Sequence, residues 1–174
     1  AKTVTVEKRD AGIAWGAVYA QYLSPISDVK QQGGELNVET NLYVERISAC
    51  GRKSLQPVTA GTVLSDGDKI VARLTIRLDR TMDFVQLKDQ RGACFEPIGS
   101  LSGYRWSNGL GYYAEVEDAA TNFCFDHLGK GVDVLEHSYR IARGGTYETG
   151  VATIQCAYAP EYGSHSAGGI IVIK

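Results

Sequence analysis

Asp68 to Arg80 reads DKIVARLTIRLDR, and its alternation decides the fold. Ile70, Ala72, Leu74, Ile76 and Leu78 occupy one phase of a two-residue period, while Lys69, Arg73, Arg77 and Asp79 occupy the other. Successive side chains of an extended chain point to opposite faces, so this segment is predicted to be a strand with one dry and one wet side. Its basic stripe of Lys69, Arg73 and Arg77 reads as solvated protection of a sheet edge. Upstream, Glu35 to Ile47 (ELNVETNLYVERI) repeats the pattern, setting Leu36, Val38, Leu42 and Val44 against Asn37, Glu39, Asn41 and Glu45. Shorter β-branched or aromatic runs lie at Thr3 to Lys8, Met82 to Lys88, Tyr112 to Glu117, Val151 to Tyr158 and Gly169 to Ile173.

Between these runs stand clusters that supply tight reversals, namely QQGG at Gln31 to Gly34, SDGD at Ser65 to Asp68, SNGLG at Ser107 to Gly111 and GKG at Gly129 to Gly131. Many short strands punctuated by turns predict an all-β sandwich or barrel. Two segments carry both a helical and an extended period: Ile13 to Leu23 (IAWGAVYAQYL) and Ala119 to Leu128 (AATNFCFDHL). A boundary is expected at Gln31 to Gly34, dividing residues 1–32 from a domain of residues 33–174. The opening residues make at most two strands, too few to stand alone, and must pack on the sandwich or on a neighbouring domain.

The 174 residues are 44% apolar and 22% charged, with a net charge of −2, an ordinary globular composition with no general pull toward nucleic acid or anionic membrane. No apolar run is long enough to span a bilayer, and AKTVTVEKRD does not have a signal-peptide layout. Either the chain is cytosolic or it is cut from a longer precursor, and its abrupt opening on a strand-like segment favours the second. Cys50, Cys94, Cys124 and Cys156 form no C-x-x-C pair, which removes zinc-ribbon and thioredoxin-like readings and favours single buried thiols over disulfides.

Candidate chemistry is sparse. His127, His137 and His165 lie in no nucleophile motif, and Cys124 and His127 on one strand are expected to point to opposite faces. Glu115, Glu117 and Asp118 read as the wet side of a strand, and Asp66 and Asp68 around Gly67 as a tight turn rather than part of a calcium loop. Phe95-Glu96-Pro97 reads as a strand end in which Phe95 fills core and proline stops pairing. Neither catalytic residues nor a metal or cofactor site is expected. A contact platform is available in GYRWSNGLG (Gly103 to Gly111), where Tyr104, Arg105 and Trp106 suit a loop that recognises glycan or protein.

Five blocks occur in one order: Gly67-Asp68-Lys69, then DRTMDFVQLKDQRGACFEP (Asp79 to Pro97), YYAEVEDAATNFCF (Tyr112 to Phe125), GVDVLEHSYRIAR (Gly131 to Arg143) and GTYETGVATIQCAYAP (Gly145 to Pro160). Together they resemble the C-terminal macroglobulin domain of bacterial alpha-2-macroglobulins, over roughly residues 35 to 174. The resemblance implies an antiparallel β-sandwich, immunoglobulin-like or macroglobulin-like, with an extra N-terminal pair of strands that includes Ile13 to Leu23. It further implies a non-catalytic part of a larger extracytoplasmic protease-trap inhibitor, periplasmic or at the cell surface. The implied partners are other domains of the parent chain, notably a helical thioester-type domain, and through the parent the target proteases. No C-x-E-Q thioester motif is present here. Tyr158, in Ala157-Tyr158-Ala159-Pro160, matches the family tyrosine that approaches the thioester; the competing reading of Tyr158 is a core aromatic. The alternative to the inhibitor function is a cell-surface sandwich that binds glycan or protein through Tyr104 and Trp106.

Overall fold

The computed structural model describes residues 5–17, 19, 21–99 and 101–174. Its strands are β1 (Leu36–Ile47), β2 (Lys53–Pro57), β3 (Lys69–Leu78), β4 (Met82–Gln90), β5 (Phe95–Pro97), β6 (Gly103–Ser107) and β7 (Leu110–Val116). They continue with β8 (Ala120–Leu128), β9 (Gly131–Ile141), β10 (Gly145–Glu148), β11 (Ala152–Cys156), β12 (Gly163–His165) and β13 (Ile170–Ile173). A five-stranded sheet runs β2-β1-β3-β9-β5, a six-stranded sheet runs β12-β11-β4-β8-β7-β6, and β10 pairs with β13. The ladders between these strands are antiparallel. The molecule is an antiparallel β-sandwich, one of the two architectures, sandwich or barrel, that the alternating segments predict.

The dry phase of β3 explains how the layers hold together. Ile70, Ala72, Leu74 and Ile76 have no exposed surface, and Leu78 is also buried. Burying each large aliphatic side chain contributes about 1.5–3 kcal/mol. Leu74, Ile76 and Leu78 join Val38 of β1, Val85 and Leu87 of β4, Phe123 and Phe125 of β8, and Ile154 of β11 in a core between the two large sheets. Ile70 and Ala72, further along the same face, join a second core with Phe95, Tyr139, Ile141, Ile171 and Ile173.

β3 lies between β1 and β9, so its basic stripe is not edge protection. Lys69 Nζ meets Glu45 Oε2 of β1 at 3.1 Å, and Arg73 Nη2 meets Glu136 Oε1 of β9 at 2.6 Å. Lys69 and Arg73 of the stripe thus make cross-strand ion pairs on the solvated side of a central strand.

Ala119 to Leu128 resolves as strand β8, whose pairing with both β4 and β7 overrides its helical spacing. The SDGD segment is the tight turn expected: Asp68 N donates to Ser65 O, Ser65 N donates to Asp68 Oδ2, and Gly67 has φ of 83°. GYRWSNGLG is a correction, since it is a hairpin rather than a loop. β6 and β7 pair up to Ser107 and Leu110 around Asn108 and Gly109, both at positive φ, the conformation that a two-residue reversal requires.

The expected N-terminal pair of strands is a second correction. The described residues before Gln32 form no strand, only a 3-10 turn at Ile26–Asp28, and the reading of Thr3 to Lys8 lies partly outside the described residues, as do positions 18 and 20 of Ile13 to Leu23. Ile13, Trp15, Tyr19, Tyr22 and Leu23 are each more than 80% exposed. Alternation makes a strand only where a neighbouring strand supplies the ladder, and among the described residues no strand pairs with this segment. The chain joins the body at Val29, whose carbonyl accepts from Gly168 N, and at Gln32, which exchanges backbone hydrogen bonds with His165.

Candidate functional site

Strand β4 changes phase in its first turn of pleat. Met82 is buried, Phe84 is exposed, and Val85, Leu87 and Asp89 are buried again. Phe84 has φ of 53°, a left-handed conformation rarely adopted by a bulky side chain, and it turns the phenyl ring to the solvent side. β8 slips at the facing position: Phe123 and Phe125 are buried, Asp126 and His127 exposed, Leu128 buried. Just beyond β11, Ala157 N donates to Phe84 O at 2.8 Å, and this bond brings Tyr158 beside the phenyl ring. The two rings meet edge to face, with centroids 5.2 Å apart and planes at 90°. Tyr158 is 81% exposed, so it is not a core aromatic of this domain. The result is a presented aromatic pair held by a backbone conformation that costs about 1–3 kcal/mol, and such strain collects at sites that have something to contact.

The other sequence-derived residues stand on the far strands of the same sheet. Tyr104 pairs with Tyr113 and Trp106 with Gly111 across the β6–β7 ladder. Tyr104 meets Tyr113 edge-on at 5.1 Å, and both Tyr104 and Trp106 are largely exposed. Alternation sends Arg105 to the opposite side of β6, where its guanidinium Nη2 donates to Leu101 O at 2.8 Å, so Arg105 is not part of an aromatic platform. Phe84 and Trp106 are separated by β8 and β7, three ladder steps or roughly 14 Å. The structure brings Tyr104 and Trp106 together and leaves Tyr158 in a separate aromatic pair.

Interior polar chemistry gathers at one place between the layers. Asp89 of β4 accepts from the Tyr139 hydroxyl at 2.6 Å and meets His137 Nε2 at 2.8 Å, both through Oδ2. Arg91 lies over the Tyr139 ring at 5.7 Å, and its Nη2 donates to the carbonyls of Glu117 and Ala120. This network joins the sheets and staples the β7–β8 turn. Cys124 and His127 do not lie on opposite faces: the slip at Asp126 puts both on the solvent side. Among the described residues no hydrogen bond joins Cys124 to His127, whose Nδ1 meets Asp83 Oδ1 at 2.7 Å, and burial followed by the charges of Glu115 and Asp126 pushes the Cys124 thiol up. Among the described residues no group of three or more His, Cys, Asp or Glu is arranged to hold a metal, and no described helix is long and apolar enough to cross a membrane.

All four cysteines are free; Cys94 and Cys156 are buried, whereas Cys50 and Cys124 are exposed. The expectation of buried thiols therefore holds for half of them. Phe84 is the site residue that sequence reasoning missed. Its signal was present in MDFVQL, where Met82 and Phe84 occupy one phase and Val85 and Leu87 the other, a change that an undistorted half-buried strand does not tolerate.

Against known proteins, the chain matches the family model described as the bacterial alpha-2-macroglobulin MG10 domain over residues 36–161. Among curated proteins no match was found. Solved structures share the fold at low identity. Salmonella alpha-2-macroglobulin reacted with methylamine aligns at a TM-score of 0.64 and 15% identity, over 83% of this chain and 10% of that one. Escherichia coli alpha-2-macroglobulin activated by porcine elastase aligns at 0.65 and 13%, over 86% and 14%. A native E. coli fragment running from domain MG7 to the C-terminus aligns at 0.63 and 14%, over 86% and 25%. The chain thus spans a tenth to a quarter of these relatives. With most of its length inside the matched family model, the chain belongs to the bacterial alpha-2-macroglobulin MG10 domain family.

Proposed function

We propose that the chain is the C-terminal domain of a larger, extracytoplasmic protease-trap inhibitor and that it works by packing on other domains of that protein, through Tyr158 on a helical thioester-type domain. The observation that carries this reading is the Phe84–Tyr158 pair, an exposed aromatic contact supported by a strained backbone. A tyrosine suits such a contact because its ring excludes water while its hydroxyl reaches a polar partner. Residues 1–32, with Ile13, Trp15, Tyr19, Tyr22 and Leu23 exposed, are read as the end of a preceding β-domain or an extension of the sandwich. Residues 33–174 are the sandwich itself.

The test uses the full-length parent protein. Tyr158→Ala should accelerate hydrogen exchange on the facing helical domain and reduce the protection of a large protein substrate from an added protease, with the melting of the sandwich unchanged. Equal exchange and equal inhibition in the variant would remove Tyr158 from the interface, and absence of protease inhibition by the unsubstituted parent would remove the trap reading altogether.

A further inference from the structure

The β6–β7 hairpin and the β8–β9 turn enclose an open groove of about 1060 Å³ that the protease-trap reading does not use. Trp106 forms its platform. A Cβ on the cross-strand residue Gly111 would lie 2.6 Å from Cζ3 and 2.7 Å from Cε3 of the indole, so the six-membered ring rests on bare backbone. Its other face is open, and Trp106 is 77% exposed. Tyr104 stands beside it, steadied by Tyr113. Across the groove are Asp126, Lys130 and Asp133, none of which forms an ion pair with a described residue.

We propose that this groove binds a neutral oligosaccharide, with one pyranose ring stacked on Trp106 and its hydroxyls bonded to Asp126, Lys130 and Asp133. A pyranose has an apolar C–H face and a rim of hydroxyls that both donate and accept. The indole matches the face; two carboxylates and an ammonium match the rim. The groove is open to solvent rather than a closed apolar pit of the kind that anchors a peptide side chain. A protein surface laid over it would strip water from three unpaired charges, at a cost of several kcal/mol per ion unless each were matched. Sugar hydroxyls instead replace that water group by group. The charged side chains that line the groove, Asp126 and Asp133 against Arg105 and Lys130, sum to zero, so it offers no net attraction to an acidic sugar.

The chain has two tryptophans, so Trp15→Phe leaves Trp106 as the sole indole fluorophore. This variant is titrated with maltohexaose, cellohexaose, laminarihexaose and chitohexaose, and with hexagalacturonate as the acidic comparator. The proposal expects a saturable change in Trp106 emission with at least one neutral hexaose, half-complete at about 1 mM or below, and none with hexagalacturonate. Calorimetry with that hexaose should lose at least about tenfold in affinity in Trp106→Ala and several-fold in Asp126→Asn, with unfolding midpoints unchanged. Three results would overturn it: no change in emission with any neutral hexaose up to about 10 mM, affinity that survives Trp106→Ala, or shielding of Trp106 from a soluble quencher by the rest of the parent protein, which would assign the groove to a protein interface.

Discussion

Tyr139 on β9 donates its hydroxyl to Asp89 on β4 at 2.6 Å, a hydrogen bond that runs from one sheet of the sandwich to the other. Both residues are almost completely buried. Burial, and then the adjacent Asp89, push the Tyr139 hydroxyl far above its ordinary value of 10. The folded state therefore keeps this proton where the unfolded chain releases it. Cys94 behaves alike, since burial pushes its thiol from 9.0 up to about 11.

Raised values in the folded state give stability that is complete below the unfolded value and lost as pH rises toward the folded one. Chemical unfolding followed against pH should show stability falling from about pH 9 as Cys94 contributes and more steeply above about pH 10 as Tyr139 adds up to about 1.4 kcal/mol per pH unit. Tyr139→Phe should cost about 1–3 kcal/mol at neutral pH and make the alkaline fall shallower. An identical alkaline slope in Tyr139→Phe would show that the phenol titrates alike in both states.

The thiols should separate in rate. Cys50 is exposed, and a hydrogen bond from Ser48 holds its thiol below the ordinary value. Cys124 is exposed but pushed up, while Cys94 and Cys156 are buried. Mass-resolved alkylation at neutral pH should modify Cys50 first, Cys124 more slowly, and the other two only with unfolding. Early modification of Cys94 would contradict the placement of the second core.

Leu74 and Ile76, both without exposed surface, anchor the main core from β3. Leu74→Ala or Ile76→Ala should cost about 2–5 kcal/mol by denaturant unfolding. Losses below about 0.5 kcal/mol at both positions would mean that this face does not form the core.

How much of this was legible follows from where the chain is periodic. β1 and β3 were readable because each is ten residues or longer and its dry phase runs through both cores. β9 was obscured because His137 and the Tyr139 hydroxyl sit on its dry phase, where only the buried Asp89 explains them. β2 was missed because all five of its residues are exposed, and an exposed edge strand has no hydrophobic period. The Ile13 to Leu23 segment failed in the opposite sense, its alternation having no partner strand among the described residues. At the site, Trp106 was visible as an aromatic in a turn-rich stretch and Tyr158 through the family resemblance of Ala157-Tyr158-Ala159-Pro160, whereas Phe84 depends on a backbone angle that composition does not reveal.

Phe84 separates stability from contact. Replacing it with glycine relieves the left-handed strain at φ of 53° and removes a ring that is half exposed. Phe84→Gly should leave the stability of the isolated chain unchanged or raise it by about 1 kcal/mol, while weakening association with the rest of the parent protein. A loss of more than about 2 kcal/mol in the isolated chain would make Phe84 a structural residue.

The most direct test of the account is hydroxyl-radical footprinting of Tyr158 and Phe84, compared between the isolated chain and the full-length parent protein. Both rings are exposed in the isolated chain and should be oxidised readily there. The account predicts strong protection of both in the parent. Equal oxidation in the two forms would show that the aromatic pair faces solvent in the whole protein and would contradict a docking role for this face.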